Sequence, residues 1–76
     1  MQNYKNLSGT SGVLRYQIGA DNIIVEFELG NEKFYRYNYE VTGVANVNHM
    51  KVLAEAGQGL NTFINAEVKS SYESKW

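Results

Sequence analysis

From Val13 to Ile18 apolar and polar residues alternate, with Leu14, Tyr16 and Ile18 on one side and Arg15 and Gln17 on the other. That period of two predicts a half-buried strand. Gly19, Ala20, Asp21 and Asn22 follow as turn formers, since glycine tolerates positive φ and short Asp and Asn side chains bond their own backbone. Ile23 to Leu29 repeats the alternation, with Ile23, Val25, Phe27 and Leu29 on one face and Ile24, Glu26 and Glu28 on the other. A four-residue loop sets Ile18 opposite Ile23, Tyr16 opposite Val25 and Leu14 opposite Phe27, with Arg15 opposite Glu26 behind them. Gly30-Asn31 marks a second turn. Phe34 to Val41 then forms a third run, Tyr35, Tyr37 and Tyr39 alternating with Phe34, Arg36 and Asn38.

After Val41 the period changes to that of a helix. Thr42 is placed to cap, and Val44, Val47, Met50, Leu53 and Ala54 recur at three- and four-residue spacing up to Gly57, a helix stop. Ala56 to Gly59 reads as a bend. Leu60, Phe63, Ile64, Val68 and Tyr72 then make an amphipathic stripe, predicting a second helix to about Ser71. The expected fold class is α+β: a three-stranded antiparallel meander followed by two helices packed on one sheet face. Residues 1–12 are polar apart from Tyr4 and Leu7 and read as a flexible arm, 13–72 as the single domain, and 73–76 as a tail.

The third strand poses a choice of register. A two-residue Gly30-Asn31 hairpin would pair Phe27 with Phe34 and Val25 with Arg36, burying the guanidinium and turning the tyrosines outward. A longer loop or a bulge sends Tyr35 and Tyr37 inward and leaves Arg36 and Asn38 in water. Burying an unpaired arginine costs several kcal/mol, against about 1 kcal/mol for a mismatched turn, so the inward register is expected.

Seventy-six residues support one core and no second domain. With 43% hydrophobic and 20% charged residues the chain is too apolar for disorder, and a net charge of -1 argues against a dedicated duplex-DNA binder. The absence of cysteine excludes disulfide, thiol and Cys-metal chemistry. No apolar run reaches the roughly 18 residues of a membrane span, so the expectation is a soluble, cytoplasmic protein with no membrane contact.

Catalytic chemistry finds no foothold. His49, the one histidine, lies beside Asn46, Asn48 and Lys51 with no nucleophile or orienting carboxylate at a readable spacing, and is expected at the surface. Glu26 and Glu28 share a strand face, but Arg15 and Arg36 flank them and hold them ionised. Ser8, Ser11, Ser70, Ser71 and Ser74 lack a base, and Gly57-Gln58-Gly59 is a helix junction more readily than a phosphate loop. No metal site or cofactor is suggested, and no enzyme is expected. What remains is Phe34-Tyr35-Arg36-Tyr37-Asn38-Tyr39, aromatic and basic residues interleaved as in surfaces that stack unpaired bases, or alternatively phenols filling a sheet–helix interface.

Over Gly12 to Tyr72 the chain resembles the KTSC domain, found at the C-terminus of some lysyl-tRNA synthetases and as small stand-alone bacterial and phage proteins. The resemblance rests on Ile24-Val25-Glu26-Phe27, Gly30, the tyrosine-x-tyrosine element Tyr35-Arg36-Tyr37 with its overlap Tyr37-Asn38-Tyr39, Val41, Phe63-Ile64-Asn65, Val68-Lys69 and Tyr72. It departs from the family at Val41-Thr42, where a Val-Pro step is usual, and at Ala56–Gly59, where the family has a Ser-x-Gly turn. The synthetase context implies a non-catalytic binding module for single-stranded RNA or a nucleotide, with Tyr35, Arg36, Tyr37, Asn65 and Lys69 as candidate contacts. The alternative is a protein-interaction or homo-oligomerising module, since a core this small gains from association.

Overall fold

The structure, a computed structural model, describes residues 1–76. Its sheet is antiparallel and five-stranded in the order β1-β2-β3-β4-β5, with β1 at Gln2–Asn3, β2 at Val13–Ile18, β3 at Asn22–Phe27, β4 at Phe34–Asn38 and β5 at Ser74–Lys75. The expected meander is β2-β3-β4, and the segments read as arm and tail add the two outer strands.

The β2–β3 register agrees with the apolar pairing rule: Ile18 faces Ile23, Tyr16 faces Val25 and Arg15 faces Glu26. Leu14 departs from it. A bulge between Val13 and Arg15 places Val13, not Leu14, opposite Phe27, and Leu14 is turned out while Val13 is fully buried. The N-terminal segment is bonded to the bulge: Tyr4 N–H donates to the Leu14 carbonyl at 2.9 Å and Ser11 Oγ accepts from Val13 N–H at 3.1 Å. An inserted residue at such a bulge reverses which side chain points inward.

Between β3 and β4 the inward register holds. Ile23 pairs with Tyr37, Val25 with Tyr35 and Ile24 with Arg36. The turn is centred on Gly30, whose φ of 109° few other residues adopt, and Phe27 N–H closes it on the Lys33 carbonyl at 2.7 Å. Tyr16, Ile23, Val25 and Tyr37 therefore share one dry face.

β4 stops three residues earlier than the alternation suggests. Asn38 Oδ1 accepts from Val41 N–H at 2.8 Å and starts a helical turn, α1, at Tyr39–Thr42. Gly43 separates it from α2, Val44–Ala56, which ends at Gly57 in the left-handed conformation. The second expected helix is composite: a turn of α-helix, α3, at Leu60–Phe63 runs into a π-helical turn at Ile64–Val68. It ends at Val68 rather than Ser71, and the Thr42 hydroxyl then holds the chain by donating to the Ser71 carbonyl.

The helices cover one face of the sheet. Val47, Met50 and Ala54 from α2, with Leu60, Ile64 and Val68 from the last helix, close over Val13, Tyr16, Ile23, Val25 and Tyr37. Each fully buried aliphatic side chain contributes about 1.5–3 kcal/mol relative to exposure. The other face, carrying Arg15, Glu26, Phe34 and Arg36, has no helix over it.

Tyr4 is the twelfth member of this core, 6% exposed. Its hydroxyl accepts from Leu60 N–H at 3.3 Å, satisfying an amide that the first turn of a buried helix would otherwise leave unpaired. Leu7 N–H donates to the Gly57 carbonyl at 2.8 Å, and a Cβ on Gly57 would stand 2.5 Å from Lys5 Cβ. The first residues are thus packed onto the helix junction instead of trailing as an arm, and a lone aromatic in a polar stretch supplies the anchor.

Tyr4→Phe is expected to cost about 1 kcal/mol for the lost hydrogen bond and Tyr4→Ala about 3–5 kcal/mol for the vacated volume, read from urea unfolding. A mobile arm would leave both variants as stable as the parent.

Candidate binding pocket

Where the last helix ends and the β3–β4 turn begins, the helical layer leaves the sheet incompletely covered. The result is a pocket of about 460 Å³, within the size range of small-molecule sites. Phe27, Tyr35 and Tyr37 form its sheet side, Asn61, Ile64, Asn65, Lys69 and Ser70 its helix side, Tyr72 one end, and Gly12 and Leu29 the rim. The two rim loops are tied together by Glu28 N–H donating to the Gly12 carbonyl at 2.7 Å.

The helix side follows from spacing. Asn61, Asn65 and Lys69 each stand one position after Leu60, Ile64 and Val68, so a polar line runs beside the apolar line that grips the sheet. In a regular α-helix a four-residue step overshoots a full turn by about 40°. The wider π-helical turn at Ile64–Val68 rotates less per residue and brings Lys69 back over the pocket with Asn65.

The sheet side is a cluster of rings. Tyr35 meets Phe27 edge-on at 5.2 Å between centroids and Tyr72 edge-on at 5.1 Å, and lies nearly parallel to Tyr37 at 6.4 Å. Lys75 from β5 stands over the Tyr35 and Tyr72 rings at 5.9 and 5.4 Å and pairs with Glu32 at 3.6 Å.

Tyr37 is the deepest of these residues, 1% exposed. Its hydroxyl has no hydrogen-bond partner within the chain, in contrast to the other buried phenols: Tyr4 pairs with Leu60 N–H and Tyr16 donates to Gln2 Oε1. Burial, and then the neighbouring Tyr35 and Tyr72, push the Tyr37 phenol far above its ordinary pKa of 10.0. It is therefore a neutral donor throughout the physiological range.

Of the five residues the sequence singles out, Tyr35, Tyr37, Asn65 and Lys69 meet in this pocket. Arg36 does not. It points to the uncovered face, where its Nε lies 3.1 Å from Glu73, so it cannot share a ligand with the tyrosines on either side of it. The expected ladder with Glu26 and Glu28 is accordingly divided: Arg15 pairs with Glu26 and Arg36 with Glu73. Lys51 is also occupied, donating to the Gly19 and Ala20 carbonyls at 2.9 and 3.3 Å. Basic residues therefore do not converge on one surface around the tyrosine run. His49 is exposed and packs edge-on against Phe63 at 4.8 Å.

The other seven lining residues, Phe27, Asn61, Ser70 and Tyr72 among them, were not singled out from sequence. The signal for Asn61 was present in the 61–65–69 spacing beside the 60–64–68 stripe.

No group of three or more His, Asp or Glu side chains is placed to hold a metal ion, and no helix is long and apolar enough to cross a membrane. Comparison with known proteins finds no matching family model, no matching curated protein and no matching solved structure.

Below its ordinary pKa of 10.0 the Tyr37 phenol is neutral in both folded and unfolded chains. At higher pH the unfolded chain ionises first, so stability should fall as pH rises. Urea unfolding at stepped alkaline pH is expected to show that fall, and Tyr37→Phe to make it shallower. An identical slope in the variant would mean that Tyr37 is not held neutral.

Proposed function

We propose that this protein is a small non-catalytic binding module of the KTSC type, and that its ligand is a nucleotide unit received in the pocket between the sheet and the last helix. The observation that carries the reading is the pocket itself, which brings together four of the residues named from sequence, one of them, Tyr37, an unpartnered, neutral phenol. Binding sites of this class are concave and mainly apolar, with a few convergent polar groups that fix orientation.

Several features suit a nucleotide. Tyr35 and Tyr72 offer ring surface for a base, Asn61 and Asn65 offer carboxamides that donate and accept, and Lys69 offers charge. The inward register also changes the mode of contact. An exposed aromatic row would track a strand of RNA along the sheet, whereas a bounded pocket takes one unit, free or at a strand end.

The uncovered sheet face supports a second reading, a protein-interaction or self-association surface. Phe34 and Trp76 stack there at 5.8 Å with their planes 12° apart, and Trp76 is 51% exposed. Sedimentation at high micromolar concentration separates the two readings, because self-association through that face predicts a mass above one subunit.

The direct test is a titration of isotope-labelled protein, at low salt, with the four ribonucleoside monophosphates and with short single-stranded RNA. Shifts are expected at Tyr35, Tyr37, Asn61, Asn65 and Tyr72, retained in Arg36→Ala and lost in Asn65→Trp, which fills the pocket. Loss of binding in Arg36→Ala would move the site to the opposite face, and an absence of shifts with every ligand would remove the reading.

A further inference from the structure

Of the residues lining the pocket, Lys69 alone carries a charge, and no carboxylate lies within 4 Å of its ammonium group. Arg15, Arg36 and Lys75, by contrast, are each paired with a glutamate. No Asp or Glu lines the cavity, and Lys75, over the Tyr35 and Tyr72 rings, is paired with Glu32, so Lys69 is the one unpaired charge facing it. At the opposite extreme of polarity is the Tyr37 hydroxyl, a donor held neutral and without an acceptor.

Resting on the reading above, the geometry points to a ligand of defined polarity: a planar ring against Tyr35 and Tyr72, a hydrogen-bond acceptor on its inner edge for Tyr37, and a terminal monoanion or dianion at the mouth held by Lys69. Lys69 thus sets specificity for an anionic ligand over its uncharged counterpart. A phosphate ester and a carboxylate share this chemistry.

A lysine just past a helix end also has an ordinary structural role, since cations there favour the helix dipole. That role moves stability alone. Discrimination between charged and uncharged ligands is a readout that it does not move.

The experiment compares each of the four ribonucleoside 5′-monophosphates with its nucleoside, with inorganic phosphate and with the ring carboxylate orotate, by calorimetry and amide shifts. The monophosphate that binds is expected to do so about tenfold or more tightly than its nucleoside, with affinity falling as salt rises, and inorganic phosphate alone to bind far more weakly. Lys69→Gln should remove the monophosphate's advantage over the nucleoside, and Lys69→Arg should restore most of it. Tyr37→Phe should weaken nucleoside and monophosphate by a similar factor. Orotate binding with the same Lys69 dependence would identify a carboxylate source for the same anion contact.

Equal affinity for monophosphate and nucleoside, or an undiminished difference in Lys69→Gln, would overturn the anion assignment while leaving the pocket as a binding site. If neither charged nor uncharged compounds shift the pocket residues, the pocket reading itself falls.

Discussion

A phenol and a guanidinium alternate along β4, and the sheet has only one dry face. Everything about the pocket depends on which of the two goes there. A buried unpaired arginine costs several kcal/mol, while a tyrosine ring gains by burial and retains a hydroxyl that can sit at the edge of a cavity. The chain resolves the conflict at the β3–β4 turn, which is centred on Gly30 and gives up the two-residue Gly30-Asn31 hairpin. Tyr35 and Tyr37 then fall beneath the helices and Arg36 meets Glu73 on the far side.

That choice also supplies one wall of the cavity. Tyr35 and Tyr37, with Phe27, line it at the end of the sheet where the last helix gives out. The helix ends at Val68, and its π-helical turn swings Asn65 and Lys69 over the gap instead of closing it with apolar side chains. Rings on one wall and amides with a single cation on the other are what remains. The strap from Lys69 to β5, held by Thr42 and by Glu73 N–H on the Arg36 carbonyl at 2.7 Å, brings Tyr72 across to complete the ring cluster.

The legible parts of this architecture are those governed by local alternation. The pairings of Ile18 with Ile23 and Tyr16 with Val25 follow from period two and a four-residue loop, and the Leu60–Ile64–Val68 stripe follows from helical spacing. The register of β4 needed a comparison of energies, and Arg36 lies, as that comparison favours, on the face away from the helices, beside Glu73. The Leu14 bulge was not legible, because it is hydrogen-bonded by residues that alone would look disordered. The π-helical turn leaves no mark in a pattern read at 3.6 residues per turn. Of the candidate contacts, Tyr35, Tyr37, Asn65 and Lys69 line one pocket and Arg36 lies on the opposite face, since adjacent strand residues point to opposite sides of the sheet.

In the proposed mode of binding, the nucleotide would lie on the helix-covered side of the sheet, against the inward-facing tyrosines. Isotope-filtered nuclear Overhauser spectra of the protein with a bound nucleotide test this directly, since they report which protein protons lie beside the base. Contacts from the base to the Tyr35 and Tyr72 rings are expected. Contacts to Phe34 and Trp76 would place the base on the open face and contradict this mode of binding.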